Sequence, residues 1–498
     1  MLQQLQPISV DIVALNLSSL APMLILAGGA LLILCLDLMN KNLSKSFYVM
    51  LSVLFVLVDL GAIITYSAPA RGFFDVMLMD GIALMSQMII LLASALFIPL
   101  ALTSKRFHEF SMPEFFALFL FMIVGFQFMV ATDNLIVIFV GLETASLALY
   151  TLIALKNSNR AFEAAIKYFT MGALAAGFFV MGAMIFYAMT GSVELGEIAK
   201  RLAERNYDPL LGILLAAVFM IAALGFKLSM IPFHTWAPDV YEGSSSALAG
   251  YMSIVPKIAG IVVALRVFEF LISAHILWLE IILYIIIVLT MTLSNIMALV
   301  QTDVKRMLAF SSISHAGFIM VAILINTEQA TSAVFLYWFM FTFVNLGAFA
   351  MLWVSRHTDH KTGEHNHPYT KFNGMIHIMP FAAVVMALFM LSLAGVPPFS
   401  LFWGKLYIMS SAVNTGETKY IILALIMGVN SAISAYYYLK LIVHMFLRSP
   451  NENDNTLYHV KDTSLALRTI VGVAAISTMF GIFAVNGLLE MIGKYISS

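Results

Sequence analysis

The chain is a succession of apolar runs of about twenty residues or more, the length a helix needs to cross a bilayer, separated by short polar loops. About 14 such runs can be placed, near residues 19–38, 47–67, 80–102, 112–130, 134–155, 161–190, 209–231, 243–271, 277–300, 304–325, 330–354, 374–412, 419–447 and 466–492. Only 11% of the 498 residues are charged, and mean hydropathy is +0.96. A soluble domain uses about 25% charged residues, so this chain cannot cover a water-facing surface. The expected fold class is all-α, a polytopic membrane protein without a soluble domain. The first apolar run lacks the basic flank of a cleavable signal and reads as a retained span. A net charge of -1 gives no basis for nucleic-acid binding. The lone Cys35 excludes internal disulfides and cysteine-ligated clusters, and it is expected as a small packing residue.

Lys and Arg in the loops set the orientation. Lys41 and Lys45, Lys105 and Arg106, Lys156 and Arg160, Lys305 and Arg306, Arg356 with Lys361 and Lys371, and Arg448 with Lys461 occupy alternate loops. Those loops are expected on the cytoplasmic side, with both termini outside. Lys200, Arg201 and Arg205 are the exception; they lie in a polar stretch, 194–208, that predicts an amphipathic surface helix.

Two runs are interrupted by proline. The seventh continues into GFKLSMIPFHTWAPDVYEG with Pro232 and Pro238, and the twelfth contains LSLAGVPPFSLFWGK with Pro397 and Pro398. Proline frees backbone carbonyls, which at membrane depth is tolerated only against protein or a water-filled cavity. Paired interrupted helices point to an inverted repeat around a transport site. The organisation expected is a three-helix segment over 1–110, a first five-helix repeat over 111–272 (spans four to eight), a second over 273–448 (spans nine to thirteen), and a loop with a final helix over 449–498.

Three lysines fall inside apolar runs: Lys227, Lys257 and Lys405. Each costs roughly 2.5–3.5 kcal/mol at the centre of a bilayer, so a charge or proton path is the default reading. Glu143 is mid-span in GLETASLALY and is expected to pair with Lys227 on another helix. Approach or withdrawal of that carboxylate would load or release a proton on the amine. Lys257 follows Pro256, where freed carbonyls are expected near the amine; Lys405 follows Phe402-Trp403-Gly404. Glu163 and Lys167, four apart, share a helix face and read either as a local ion pair or as a further link. His234 and His315 are further candidates for a proton shuttle, with structural roles left open. Asp59 interrupts the second run and has no assigned role. The loop 356–371 carries His357, His360, His365 and His367; its spacing matches no metal-ligand pattern and it is expected to be solvated. No sequence pattern for a nucleotide, flavin, haem or iron–sulfur site is present.

GLETASLALYTLIAL, EAAIKYFTMGALAAGF, GFKLSMIPFHTWAPDVYEG, TDVKRMLAFSSISHAGF and LAGVPPFSLFWGK together resemble the antiporter-like membrane subunits of complex I, the proton-translocating NADH:quinone oxidoreductase. The resemblance covers essentially the whole chain and is strongest over spans four to thirteen. Within the family the chain is similar to the branch without a long lateral helix and with lysine, here Lys405, in the broken twelfth span. The resemblance implies two inverted five-helix repeats, Glu143 and Lys227 as coupling pair, Lys257 as central relay and Lys405 as terminal residue. It also implies the bacterial inner membrane and other membrane-arm subunits as partners. NADH, flavin, iron–sulfur clusters and quinone would be handled elsewhere in the complex, with no cofactor bound by this chain. A subunit of a multisubunit sodium–proton antiporter or a membrane-bound hydrogenase is the alternative within the same fold, and a purely structural scaffold the alternative outside it.

Overall fold

Most apolar runs close into one continuous helix, because in lipid each N–H and C=O must be satisfied within the segment; the last span, Leu465–Ile496, is two helices joined by a 3-10 turn. The computed structural model describes residues 15–66, 69–102, 108–274, 276–354, 366–450 and 464–497. It begins with α1 (Ala21–Met39), α2 (Lys45–Ile64), a small antiparallel hairpin of β1 (Ala70–Gly72) and β2 (Met77–Met79), and α3 (Gly81–Phe97). The next group is α4 (Pro113–Val130), α5 (Leu135–Ala154), α6 (Asn159–Thr190), α7 (Leu195–Glu204), α8 (Leu210–Leu228), α9 (Trp236–Gly243), α10 (Ser246–Met252) and α11 (Val255–Ser273). Then come α12 (Leu277–Leu299), α13 (Val304–Ile325), α14 (Glu328–Val354), the short α15 (Met375–Ile378), α16 (Pro380–Ala394), α17 (Ser400–Asn414) and α18 (Thr418–Leu447), followed by α19 (Leu465–Phe480) and α20 (Val485–Ile496).

Among the described residues, 12 helices are long and apolar enough to cross a membrane. The remaining two of the expected runs are each divided: 243–271 into α10 and α11, and 374–412 into α16 and α17. The break between α10 and α11 was not expected. Its cause is Pro256, which stands in the first turn of α11 and starts that helix, where a missing N–H costs nothing. The break after α8 turns on Ser229, in the left-handed region at φ 59°, and that between α16 and α17 on Gly395 at φ 83°. The amphipathic α7 lies where the polar stretch 194–208 places it.

Capping side chains fix where the central helices begin. Asn134 Oδ1 accepts from Ile136 and Val137 N–H to start α5, and Asp303 Oδ1 accepts from Lys305 and Arg306 N–H to start α13. α13 is enclosed by protein along its full apolar length, and α14 nearly so. The outer helices instead carry exposed Leu24, Ile166, Leu211 and Phe381, the arrangement of a bundle whose solvent is lipid. Cys35 belongs to this outer surface and is exposed, against the expectation of a packing residue. Leu31 and Leu38, on the same flank of α1, are exposed with it.

Candidate functional site: a row of buried amines

Lys227 lies in the last turn of α8, beside the break, and is buried. Its Nζ donates to Ser146 Oγ at 3.0 Å and stands 5.4 Å from the centre of the Phe126 ring. Ser146 is three residues beyond Glu143 on α5, so both face α8. Glu143 makes no direct ion pair with Lys227; the two interact electrostatically across a longer gap, and Glu143 Oε1 is buried without a hydrogen-bond partner. The expected contact pair is therefore replaced by a hydroxyl between them in sequence, and Ser146 could have been found from its spacing to Glu143. The stem of Lys227 packs against Gly260 of α11, where a Cβ would sit 3.5 Å from Lys227 Cγ. Gly260 is one turn beyond Lys257, which brings the first two lysines onto neighbouring surfaces.

Lys257 is 1% exposed. Its Nζ donates to the Ser312 carbonyl at 2.6 Å and to Ser312 Oγ at 2.7 Å. The accepting carbonyl belongs to α13, a different helix, and not to the backbone around Pro256 as expected. The Met252 carbonyl, four residues before Pro256, is instead taken by Tyr241 OH at 3.2 Å. A second hydrogen-bonded group begins at the neighbouring residue of α13. Ser311 Oγ shares a hydrogen bond with Tyr438 OH, Tyr438 OH lies 3.1 Å from His315 Nε2, and His315 Nδ1 lies 2.5 Å from Tyr337 OH. His315 is buried within electrostatic reach of both Lys257 and Lys405. Tyr337 packs against Gly404, the residue before Lys405.

Lys405 closes the row. Its Nζ donates to the carbonyls of Leu393 at 2.9 Å and Ala394 at 3.2 Å, the last two residues of α16, and stands 5.3 Å from the Phe318 ring centre. Here the broken helix does offer its freed carbonyls to the amine. The side chain is 4% exposed, which excludes a snorkelling role. Sequence reasoning missed Ser312, Tyr337 and Tyr438; hydroxyls in apolar helices are too common to be singled out without the fold.

The short helix α9 is held by four cations. Lys156 Nζ donates to the Gly243 and Ser244 carbonyls at 2.7 and 3.2 Å, and Lys305 Nζ to those of Glu242 and Ser244 at 3.1 and 2.6 Å, which places positive charge at its C-terminal end. Arg306 bridges Asp239 at 2.9 Å and Glu242 at 2.6 Å, and Lys167 pairs with Asp239. Lys167 thus takes Asp239 and not Glu163, correcting the local pair drawn from their spacing: α9 brings a better-placed carboxylate over α6. Burial works against the charge on Asp239, but the hydrogen bonds from Lys167 and Arg306 outweigh it and hold the carboxyl below its ordinary value. Arg160, Glu163, Lys167, Asp239, Glu242 and Arg306 line a polar cavity of about 280 Å³.

His234 is 8% exposed in the segment between α8 and α9, with Nδ1 buried and unpartnered, and makes no hydrogen bond to the lysine row. Of the histidine-rich loop, His357, His360 and His365 lie outside the described residues. His367 is not solvated as expected: it is 2% exposed, with Nε2 3.3 Å from Ser246 Oγ and Nδ1 3.1 Å from Lys371 Nζ. Its backbone N–H is held by Asp303, the cap of α13, which draws this end of the loop inward.

The fold and the row define a multi-pass membrane protein whose interior carries spaced amines, hydroxyls and an imidazole. Residues 131–434 match the family described as NADH:quinone oxidoreductase/Mrp antiporter, TM. The chain is 60% identical to NADH-quinone oxidoreductase subunit N of Sulfurimonas denitrificans and 58% identical to that of a Sulfurovum species, over 99% of each chain. Among solved structures it is similar to a chain of respiratory complex I from Thermus thermophilus, with 28% identity, a TM-score of 0.76 and coverage of 94% of this chain and 98% of that one. A chain of the Mrp complex from Dietzia shares the fold at 19% identity and a TM-score of 0.80, covering 97% of each. The chain belongs to the NADH:quinone oxidoreductase/Mrp antiporter family, on the subunit N branch.

Proposed function

We propose that this chain is a proton-translocating membrane-arm subunit of an NADH:quinone oxidoreductase, seated between other membrane-arm subunits in the bacterial inner membrane with both termini outward. Electron transfer from NADH to quinone, with its flavin and iron–sulfur clusters, takes place in the other subunits; this chain binds no redox group. The observation that carries the reading is that Lys227, Lys257 and Lys405 are all buried and hydrogen-bonded only to neutral hydroxyls and carbonyls. A purely structural lysine at such depth would be expected to hold a carboxylate.

In this mechanism Glu143 changes its distance from Lys227 under the influence of a neighbouring subunit, and the amine takes up or gives up a proton accordingly. Lys227 hands a proton to Lys257. The Ser312, Ser311, Tyr438 and His315 side chains carry it toward Lys405, each hydroxyl or ring nitrogen accepting one proton and passing another on. The carbonyls at the end of α16 hold Lys405 for release. Lys167, Glu163 and the polar cavity beside α9 supply the cytoplasmic intake, and His234 lines the approach to it.

The test is proton pumping in inverted membrane vesicles carrying Lys227→Ala, with assembly verified and NADH supplied. Loss of pumping by the assembled complex is the expected result. Unimpaired NADH-driven pumping would make the lysine structural and defeat the reading. A scaffold, by contrast, would pump normally with Lys257 and Lys405 neutralised together.

A further inference from the structure

Outside the row of amines, four buried polar atoms without hydrogen-bond partners lie on α2, α4, α3 and α11, which pack on one another: Asp59 Oδ1, Gln127 Oε1, Gln87 Oε1 and Arg266 Nε. Asp59 of α2 and Gln127 of α4 are both 0% exposed, and Gln127 Nε2 donates to Asp59 Oδ2 at 2.6 Å. One turn further along α4, the Val130 carbonyl accepts from Arg266 at 3.1 Å. Arg266 of α11 forms a two-point pair with Asp80 at 2.8 and 2.9 Å, and Asp80 caps α3 by accepting from Ala83 N–H. Gln87 lies two turns into α3 and reaches back to Met79 Sδ at 3.7 Å, beside Asp80. Gln127 and Val130, one turn apart on α4, relate the Asp59 pair to the Arg266–Asp80 pair as a polar seam, with Gln87 on the adjoining α3. The C-terminus of α4 lies on the opposite side of the bundle from the α9 cluster, because α5 runs back between them.

Buried polar atoms in folded proteins are almost always satisfied, by protein or by internal water. Here the Asp59–Gln127 pair is left with a specific deficit. Asp59 and Gln127 have one hydrogen bond between them and one acceptor left on each side, so a single donor is missing. We propose that Asp59 and Gln127 form a second protonatable site of this chain, a carboxyl–amide pair that exchanges one proton during turnover through water held between Gln87, Arg266 and Asp80. In the loaded form an O–H bond on Asp59 Oδ1 donates to Gln127 Oε1 while Gln127 Nε2 donates to Oδ2, and both residues are satisfied. In release, the O–H bond breaks, the proton passes to a water of the seam, and the carboxylate keeps the bond from Nε2. No electron moves and no co-reactant is needed. The charged groups facing the seam are Asp80 and Arg266, and they neutralise each other, so the charge on Asp59 is free to change without an ion pair having to break.

The inference rests on the proton-translocating reading only for what drives the exchange, and the test reads the site directly. Infrared difference spectra of the assembled complex, recorded between resting and NADH-driven states, are compared for the wild type and Asp59→Asn. The expected result is a carboxylic C=O band that responds to turnover and is lost in Asp59→Asn, accompanied by a loss of proton yield per electron. Identical spectra overturn the proposal, whatever Lys227→Ala does to pumping. If Asp59→Asn does not assemble, Asp59→Glu keeps the acid: the band then shifts in place of vanishing, and an unshifted band overturns the proposal.

Discussion

The environment of each lysine is set by single atoms, so small substitutions should be informative. Ser146 Oγ is the hydrogen-bond acceptor the structure gives Lys227. Removing a hydrogen bond to a charged group costs about 1.5–3 kcal/mol, so Ser146→Ala should slow NADH-driven proton translocation by roughly tenfold or more while leaving assembly intact. Rate measurements on vesicles of matched complex content would check this. Gly395 offers a second probe. It sits at φ 83°, and a Cβ there would lie 3.0 Å from Lys405 Cδ and 3.2 Å from Nζ. An alanine is strained at such a φ by roughly 1–2 kcal/mol and would also push the amine off the Leu393 and Ala394 carbonyls. Gly395→Ala should therefore lose proton yield in the same direction as Lys405→Met, and a normal yield would show that those carbonyls do not position the amine.

At the scale of the element, α9 is the piece whose identity the sequence conceals. FHTWAPDVYEG is legible as a break and as a family motif, but the partners of its carboxylates come from α6 and α13, distant in sequence. Spacing alone links Lys167 to Glu163; only packing brings Asp239 above it. The folded value of the Asp239 carboxyl is lowered by Lys167 and Arg306. A lowered acid contributes its full stability above its unfolded value, about 3.9, and loses it as pH falls through the lower folded value. The clamp on α9 should hold from neutral pH down to about 4 and loosen only below that. Hydrogen–deuterium exchange of residues 236–243 would report this, and Asp239→Asn should remove the acid transition and raise exchange at neutral pH.

For the molecule as a whole, the positions of the membrane runs were legible because lipid demands long apolar helices, and the three lysines because a bilayer makes them costly. The break at Ile254 was not legible, since a proline at a helix start and one inside a helix look alike in a string of letters. The hydroxyl bridge along α13 was hidden for a different reason: it needs Tyr438 and Tyr337, carried by α18 and α14. Closure of the bundle was equally invisible. Gly81, the first residue of α3, lies against the backbone of Tyr495 in α20, where a Cβ would collide with the Tyr495 carbonyl oxygen. Gly81→Ala should force these two elements apart and lower the yield of assembled complex, measurable by native gel electrophoresis, with little effect on the activity of what does assemble.

That contact has a consequence in time. Chain growth runs from the N-terminus, so α3 enters the membrane long before α20 is made. Until α20 arrives, the start of α3 has an open flank, and the seat left for Tyr495 is available to any lipid or neighbouring helix that reaches it first. The contact thus ties an early helix to a late one, and α3 waits for its neighbour through most of the intervening synthesis.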